Sequence, residues 1–228
     1  MTKILALDTA TEACSVALAI DDRVIERHVE LERGHAEQLL PMIDELLAEA
    51  GVALSALDAI AFGRGPGAFT GVRLAASVAQ GLAFGAGTGV VPVSDLAAVA
   101  QQAAGLQPQA RRILAINDAR MREVYWAQFV VDGTVSLNGV EHVGAATEVE
   151  LPEVSDEAWV AAGRGLAVYP DLAARCRDQG GTVLDRLLPR ASDILLLARK
   201  DVAAGRILPP EAALPVYVRD RVVAVATS

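Results

Sequence analysis

Few residues in this 228-residue chain are placed to do chemistry. Asp8 follows the apolar run Ile4-Leu5-Ala6-Leu7, with Thr9 and Thr11 close behind, so a carboxylate and two hydroxyls stand at the end of a buried strand. A carboxylate there can hold or activate a metal-bound water, the task of the acid in a kinase or ATPase. It can also simply accept a hydrogen bond from its own turn. The second reading is preferred, because no second glycine-rich phosphate element is evident beyond the short Gly163-Arg164-Gly165.

The other conspicuous stretch is Gly63-Arg64-Gly65-Pro66-Gly67-Ala68-Phe69-Thr70-Gly71-Val72-Arg73. It joins the apolar run Ala59 to Phe62 to Leu74 to Phe84, whose only polar side chains are Ser77 and Gln80, and it reads as strand, turn and helix. Thr70 is the expected N-cap, and a helix start of this kind can bind an anion or simply pack. Gly63-x-Gly65-x-x-Ala68 matches the dinucleotide fingerprint, but it follows a later strand, and the next acid is Asp95. No Gly-Lys-Ser/Thr occurs, which excludes a Walker A loop. The preferred reading is a structural loop carried by Gly65, Pro66, Gly67, Thr70, Gly71 and Arg73.

Metal chemistry has little to work with. Cys14 and Cys176 are far apart, and His28, His35 and His142 share no ligand spacing, so no metal site is expected. The formal charge of −9 opposes long-range attraction of a polyanion. Arg111-Arg112 and Arg219-Asp220-Arg221 read as solvated strand edges. Leu74 to Ser94 is uncharged, but its glycines and Pro92 argue for helix, turn and strand rather than a membrane span.

Positioning these residues requires an α/β fold. Ile4 to Leu7, Cys14 to Ile20 and Val24 to Leu31 form a three-strand meander, with Asp21-Asp22 as a tight connection. Ala36 to Ala50 is a helix on Leu39, Leu40, Ile43, Leu46 and Leu47, bent by Pro41 and ended by Gly51. Val90 to Val93 is a strand, and a helix starts at Ser94-Asp95 and runs to about Ala104. After the linker Gly105 to Pro108, Ile113-Leu114-Ala115-Ile116 and Asn117-Asp118 repeat the opening of the chain in type. Glu123 to Val131, turning at Asp132-Gly133, repeats the hairpin strand. Two related subdomains follow from that repeat, 1–106 and 107–228. In the second, Trp159 to Ala162 is a strand, Asp171 to Arg177 a helix, and Ser192-Asp193 caps a helix to about Ala204. Val216 to Arg219 reads as an edge segment and Arg221 to Ser228 as a disordered tail.

These features together resemble the actin, Hsp70 and sugar-kinase fold, with two actin-like (ribonuclease H-like) subdomains, each a mixed sheet flanked by helices. More narrowly, the chain resembles the TsaB, or YeaZ, family. The resemblance rests on Ile4 to Thr9, His35 with Leu39-Leu40-Pro41, the Gly65 to Arg73 loop, Asp118-Ala119-Arg120 with Glu123-Val124-Tyr125, and Tyr217-Val218-Arg219. It implies a cytoplasmic, non-catalytic accessory subunit that binds and activates TsaD, which transfers a threonylcarbamoyl group to adenosine 37 of tRNAs reading codons that start with A. It also implies the ATPase TsaE as a further partner, tRNA contact only through the complex, a homodimer in isolation, and no membrane. His35 is followed four positions later by Leu39, so the His-x-x-x-His metal pair of TsaD is absent.

On this reading Asp8, Thr9 and Thr11 are a vestigial phosphate loop, with no resident cofactor and at most weak ATP or ADP with magnesium. The alternative is a stand-alone ATPase or small-molecule kinase using Asp8. The apolar helices supply the partner surface. Leu39, Leu40, Ile43, Leu46 and Leu47 of the first, with Val72, Ala75, Ala76, Ala79 and Ala83 of the second, are expected to pair with the same helices of a homologous chain.

Overall fold

The computed structural model describes residues 2–153 and 157–219. Among the described residues ten strands form two five-stranded sheets built on one plan. In the first, β1 (Lys3–Asp8), β2 (Ala13–Ile20) and β3 (Arg23–Glu30) form the antiparallel meander. On the other side of β1 lie β4 (Ala59–Gly63) and β5 (Gly89–Val93), both parallel, giving the order β3-β2-β1-β4-β5. The second sheet repeats this with β6 (Arg112–Arg120), β7 (Glu123–Asp132) and β8 (Thr134–Ala145) as the meander. Its parallel strands are β9 (Trp159–Ala162) and β10 (Thr182–Leu184), in the order β10-β9-β6-β7-β8. The repeated apolar tetrapeptides are therefore the two central strands, each covered on both faces.

Helices form three layers around these sheets. The first sheet carries α1 (His35–Ala50) and α2 (Phe69–Ala86) on one face. The second carries the short α4 (Gly165–Val168) and α5 (Pro170–Asp178) on one face. Between the sheets the two remaining helices cross over. From the first half of the chain, α3 (Asp95–Leu106) sets Leu96, Val99, Ala100 and Ala103 against the second sheet. From the second half, α6 (Ala191–Ala203) sets Ile194, Leu195 and Ala198 against the first. The two also touch each other, so each lobe is closed by a helix from the other half.

Two expected helix starts are displaced. The N-cap of α2 is Ala68, whose N–H donates to the Ala10 carbonyl at 2.7 Å, and Thr70 lies inside the first turn with no capping bond. The N-cap of α6 is Arg190, and Ser192 and Asp193 are already helical. Tertiary contacts account for both. The loop before α2 is docked on Ala10, and the Ala191 and Ser192 N–H groups donate to Ser15 Oγ and Glu26 Oε1. Ser94 does cap α3, its Oγ accepting from the Ala97 N–H.

The helix faces are turned largely inward. Leu39, Ile43, Leu46 and Leu47 of α1 and Ala75, Ala76, Ala79 and Ala83 of α2 are buried against the first sheet within this one chain, and Val72 is buried as well. Each large side chain among them contributes on the order of 2 kcal/mol to the fold by leaving water. The sheet is wide enough to seat both helices side by side, so their apolar stripes need no outside cover. Of the ten residues expected at a partner interface, only Leu40 is exposed.

Val216 to Arg219 forms no strand. This segment runs across the protein as a strap, its Val216 N–H donating to the Arg64 carbonyl and Arg219 reaching Glu123 and the Ala119 carbonyl of the second lobe. Arg219 is thus an ion-paired, largely covered residue rather than a solvated edge. Asp220 to Ser228 lie outside the described residues.

Candidate functional site

A cleft of about 710 Å³ opens between the lobes where the ends of the two central strands face each other. One side is built from Thr9, Thr11 and the α2 loop residues Gly67, Thr70 and Gly71, and the other from Asn117, Asp118 and Arg164. Fold position and local sequence agree here, because strand ends of an open α/β sheet are where side chains leave the core.

The glycines of the loop are demanded by close approach. A Cβ on Gly67 would lie 2.5 Å from the Ala10 carbonyl oxygen, and one on Gly71 only 2.0 Å from that of Thr9. The 63–73 loop is pressed flat against the turn after β1 by these contacts, and Thr9 Oγ1 donates to the Gly71 carbonyl at 2.7 Å. Thr11 Oγ1 accepts from the Ala13 N–H at 3.2 Å. Both hydroxyls of the expected phosphate loop therefore have structural partners.

Asp8 is fully buried and does not line the cleft. Its Oδ1 accepts from the Ala10 N–H at 3.1 Å, the self-capping turn that its sequence position suggested. Its partner across the fold is Asp95, the first residue of α3, equally buried, which accepts from the Gly65 N–H. Burial pushes both carboxyls above the usual range, and the charge of Asp8 raises Asp95 further. The sequence marked Asp95 as a helix start and as the next acid after the glycine loop, since nothing local signals a contact with a strand end so distant in the chain.

His35 begins α1, and its Nε2 lies 3.0 Å from the Thr11 carbonyl oxygen, a tie from helix to turn. Among the described residues no group of three or more His, Cys, Asp or Glu could hold a metal ion. Arg73 stacks its guanidinium 3.6 Å from the centroid of Phe69, and its Nε donates to the Tyr217 hydroxyl at 2.7 Å. It fastens the strap to the start of α2. Ion pairs tie the lobes together. Arg64 makes two bonds of 3.1 Å to Glu141, Arg164 reaches Glu12 at 2.9 Å, and Arg219 meets Glu123.

Two copies of a meander-plus-parallel sheet, joined by crossed helices over a cleft at their strand ends, define an actin-like, ribonuclease H-like protein of two subdomains. Residues 29–223 match the family described as "TsaD: tRNA N6-adenosine threonylcarbamoyltransferase". The chain is 44% identical to the tRNA threonylcarbamoyladenosine biosynthesis protein TsaB of Escherichia coli (strain K12), over 96% of each chain. With the TsaB of Haemophilus influenzae it shares 39% identity over 96% of this chain and 94% of that one. The solved YeaZ of Pseudomonas aeruginosa superposes with a TM-score of 0.85 at 46% identity, covering 95% of this chain and all 100% of that one. A second Pseudomonas aeruginosa structure, titled as similar to peptidase YeaZ, gives 0.88 at 48% identity, with 96% and 100% coverage. The chain belongs to the TsaB (YeaZ) family.

Proposed function

We propose that this protein is a non-catalytic accessory subunit in tRNA threonylcarbamoyladenosine biosynthesis, acting by binding and activating TsaD, which transfers the threonylcarbamoyl group to adenosine 37. The observation that carries this reading is the fate of Asp8. The acid that would serve a phosphate-transfer site is folded inward onto Ala10 and Asp95, and the hydroxyls of Thr9 and Thr11 are committed to backbone partners. A site of this build orders a loop rather than a substrate. The relatives carrying the TsaB name support the pathway.

The partner surface we propose is the outer side of the helix layer. On α1 it presents Leu40 and Pro41, and on α2 Phe69 and Phe84, with half-buried Leu74, Val78 and Leu82 between them. A homologous helix pair would cover this strip, TsaD in the working complex and a second copy of this chain when TsaD is missing. TsaE would join that assembly, tRNA would be met only within it, and its place is the cytoplasm. No described helix is long and apolar enough to cross a membrane.

Co-elution with TsaD, followed by tRNA modification with each protein omitted in turn, tests the reading. Leu40→Asp with Phe84→Asp should abolish co-elution and modification while leaving the circular dichroism melt intact, and unchanged co-elution would refute the surface. Titration with ATP and magnesium should give at most weak heat. Tight binding with turnover lost in Asp8→Ala would instead identify an ATPase.

A further inference from the structure

The structure holds two carboxylic acids whose arrangement the accessory role does not use. Asp8 and Asp95 are both 0% exposed. Each has one oxygen satisfied by a backbone N–H, from Ala10 and from Gly65, and one oxygen with no backbone or neutral side-chain partner, Asp8 Oδ2 and Asp95 Oδ1. Both carboxyls converge over Gly63. A Cβ there would stand 2.3 Å from Asp8 Oδ1 and 2.5 Å from Asp95 Oδ1, so glycine is the residue that leaves them room.

Two negative charges cannot share so dry a space, whereas one proton turns a repulsion into a hydrogen bond. The nearby groups do not replace that proton. Arg64 on the loop is the cation facing the pair and is already engaged by both oxygens of Glu141, while His35 on α1 turns its Nε2 to the Thr11 carbonyl oxygen. Cys14 on β2, with its thiol pushed up to about 11, brings no charge at neutral pH.

We propose that Asp8 and Asp95 share a single proton at neutral pH, and that this proton fastens the 63–67 loop to α3 and through it joins the two lobes. The mechanical path runs through Gly65 and Arg64. Asp95 takes the Gly65 N–H and its own N–H donates to the Gly65 carbonyl at 3.1 Å, while Arg64 donates its backbone N–H to Val93, its side chain to Glu141, and its carbonyl accepts from the strap at Val216. Loss of the proton puts a second charge beside the first and drives Asp95 away from Asp8, which frees Gly65. The opening is thus favoured by alkali. Because the folded state holds the proton more tightly than the unfolded chain, the contribution to stability is full at acid pH and declines as pH rises through the titration of the pair.

Hydrogen exchange of the Gly65 amide, corrected for its intrinsic pH dependence and compared with the Leu5 amide in the same sample, reads this directly. Wild type should lose up to about tenfold protection at Gly65 per pH unit across the titration. Asp95→Asn, which keeps the shape and supplies a permanent N–H to Asp8, should hold that protection flat, and Asp8→Asn should do the same from the other side. An equal pH slope in wild type and both variants would overturn the proposal. If either variant fails to fold, carbon-13 spectra of aspartate-labelled wild type decide: one buried carboxyl in the protonated range at pH 7 supports the shared proton, and two ionised ones refute it.

Discussion

Gly71 shows how a single missing carbon can set a local structure. The Thr9 carbonyl oxygen occupies the place of its Cβ, 2.0 Å away, and backbone cannot step aside as a flexible side chain can. Gly71→Ala should therefore cost about 3 kcal/mol or more by urea denaturation, in the range of substitutions that force two backbones apart. Asp193 offers a second test at this scale. Burial pushes its carboxyl up to about 6, with Glu26 adding to the rise and Gln102 and Arg190 opposing it. The folded state therefore binds a proton that the unfolded chain releases near pH 4, and stability falls as pH rises from there through about 6. Asp193→Asn should remove that decline, on the order of 1–3 kcal/mol, visible as a flatter plot of melting temperature against pH. The glycine loop was legible from composition alone, but the obstacle facing each glycine was not, because Thr9 and Ala10 come to it from another part of the chain.

At the scale of elements, α1 and α2 separate two kinds of apolar residue that helical periodicity lumps together. Leu46 and Ala79 face the sheet at 0% exposure, whereas Leu40 and Phe84 face outward at 48% and 61%. A charge at Leu46 should unfold the protein, since an unpaired buried carboxylate costs far more than the domain's margin of stability. A charge at Phe84 should leave the melting temperature within about 2 °C of wild type, as for surface substitutions generally. Thermal melts of Leu46→Asp and Phe84→Asp check both. The sequence showed that the two helices were strongly apolar and gave nearly correct ends for α1. It could not show how wide a sheet awaited them, and that width decides which stripe is core. The displaced starts of α2 and α6 have a similar origin: Thr70 and Ser192 have the side chains of caps, but Ala10, Ser15 and Glu26 supply partners one or two residues earlier or in other roles.

Across the whole molecule, the lobes are held by ion pairs of unequal worth. The Arg64–Glu141 pair is bidentate, largely covered and joined by Ser94, while Arg164 with Glu12 and Glu30 stands in solvent. Glu141→Gln should cost about 2 kcal/mol and raise exchange in the 63–67 loop, whereas Arg164→Gln should change stability by less than about 0.5 kcal/mol. Equal effects in guanidinium denaturation would contradict this ranking. The sequence by itself determined the duplicated plan of the fold: four-residue apolar runs, the turns behind them and the hairpin strands are local patterns, and local periodicity suffices to write two copies of one sheet. Tertiary structure decided what those copies do, by crossing α3 and α6 between the lobes, turning Asp8 inward onto Asp95, and hiding most of the apolar face of α1 and α2. Each of those outcomes depends on contacts between residues far apart along the chain, and periodicity carries no information about which distant group will arrive.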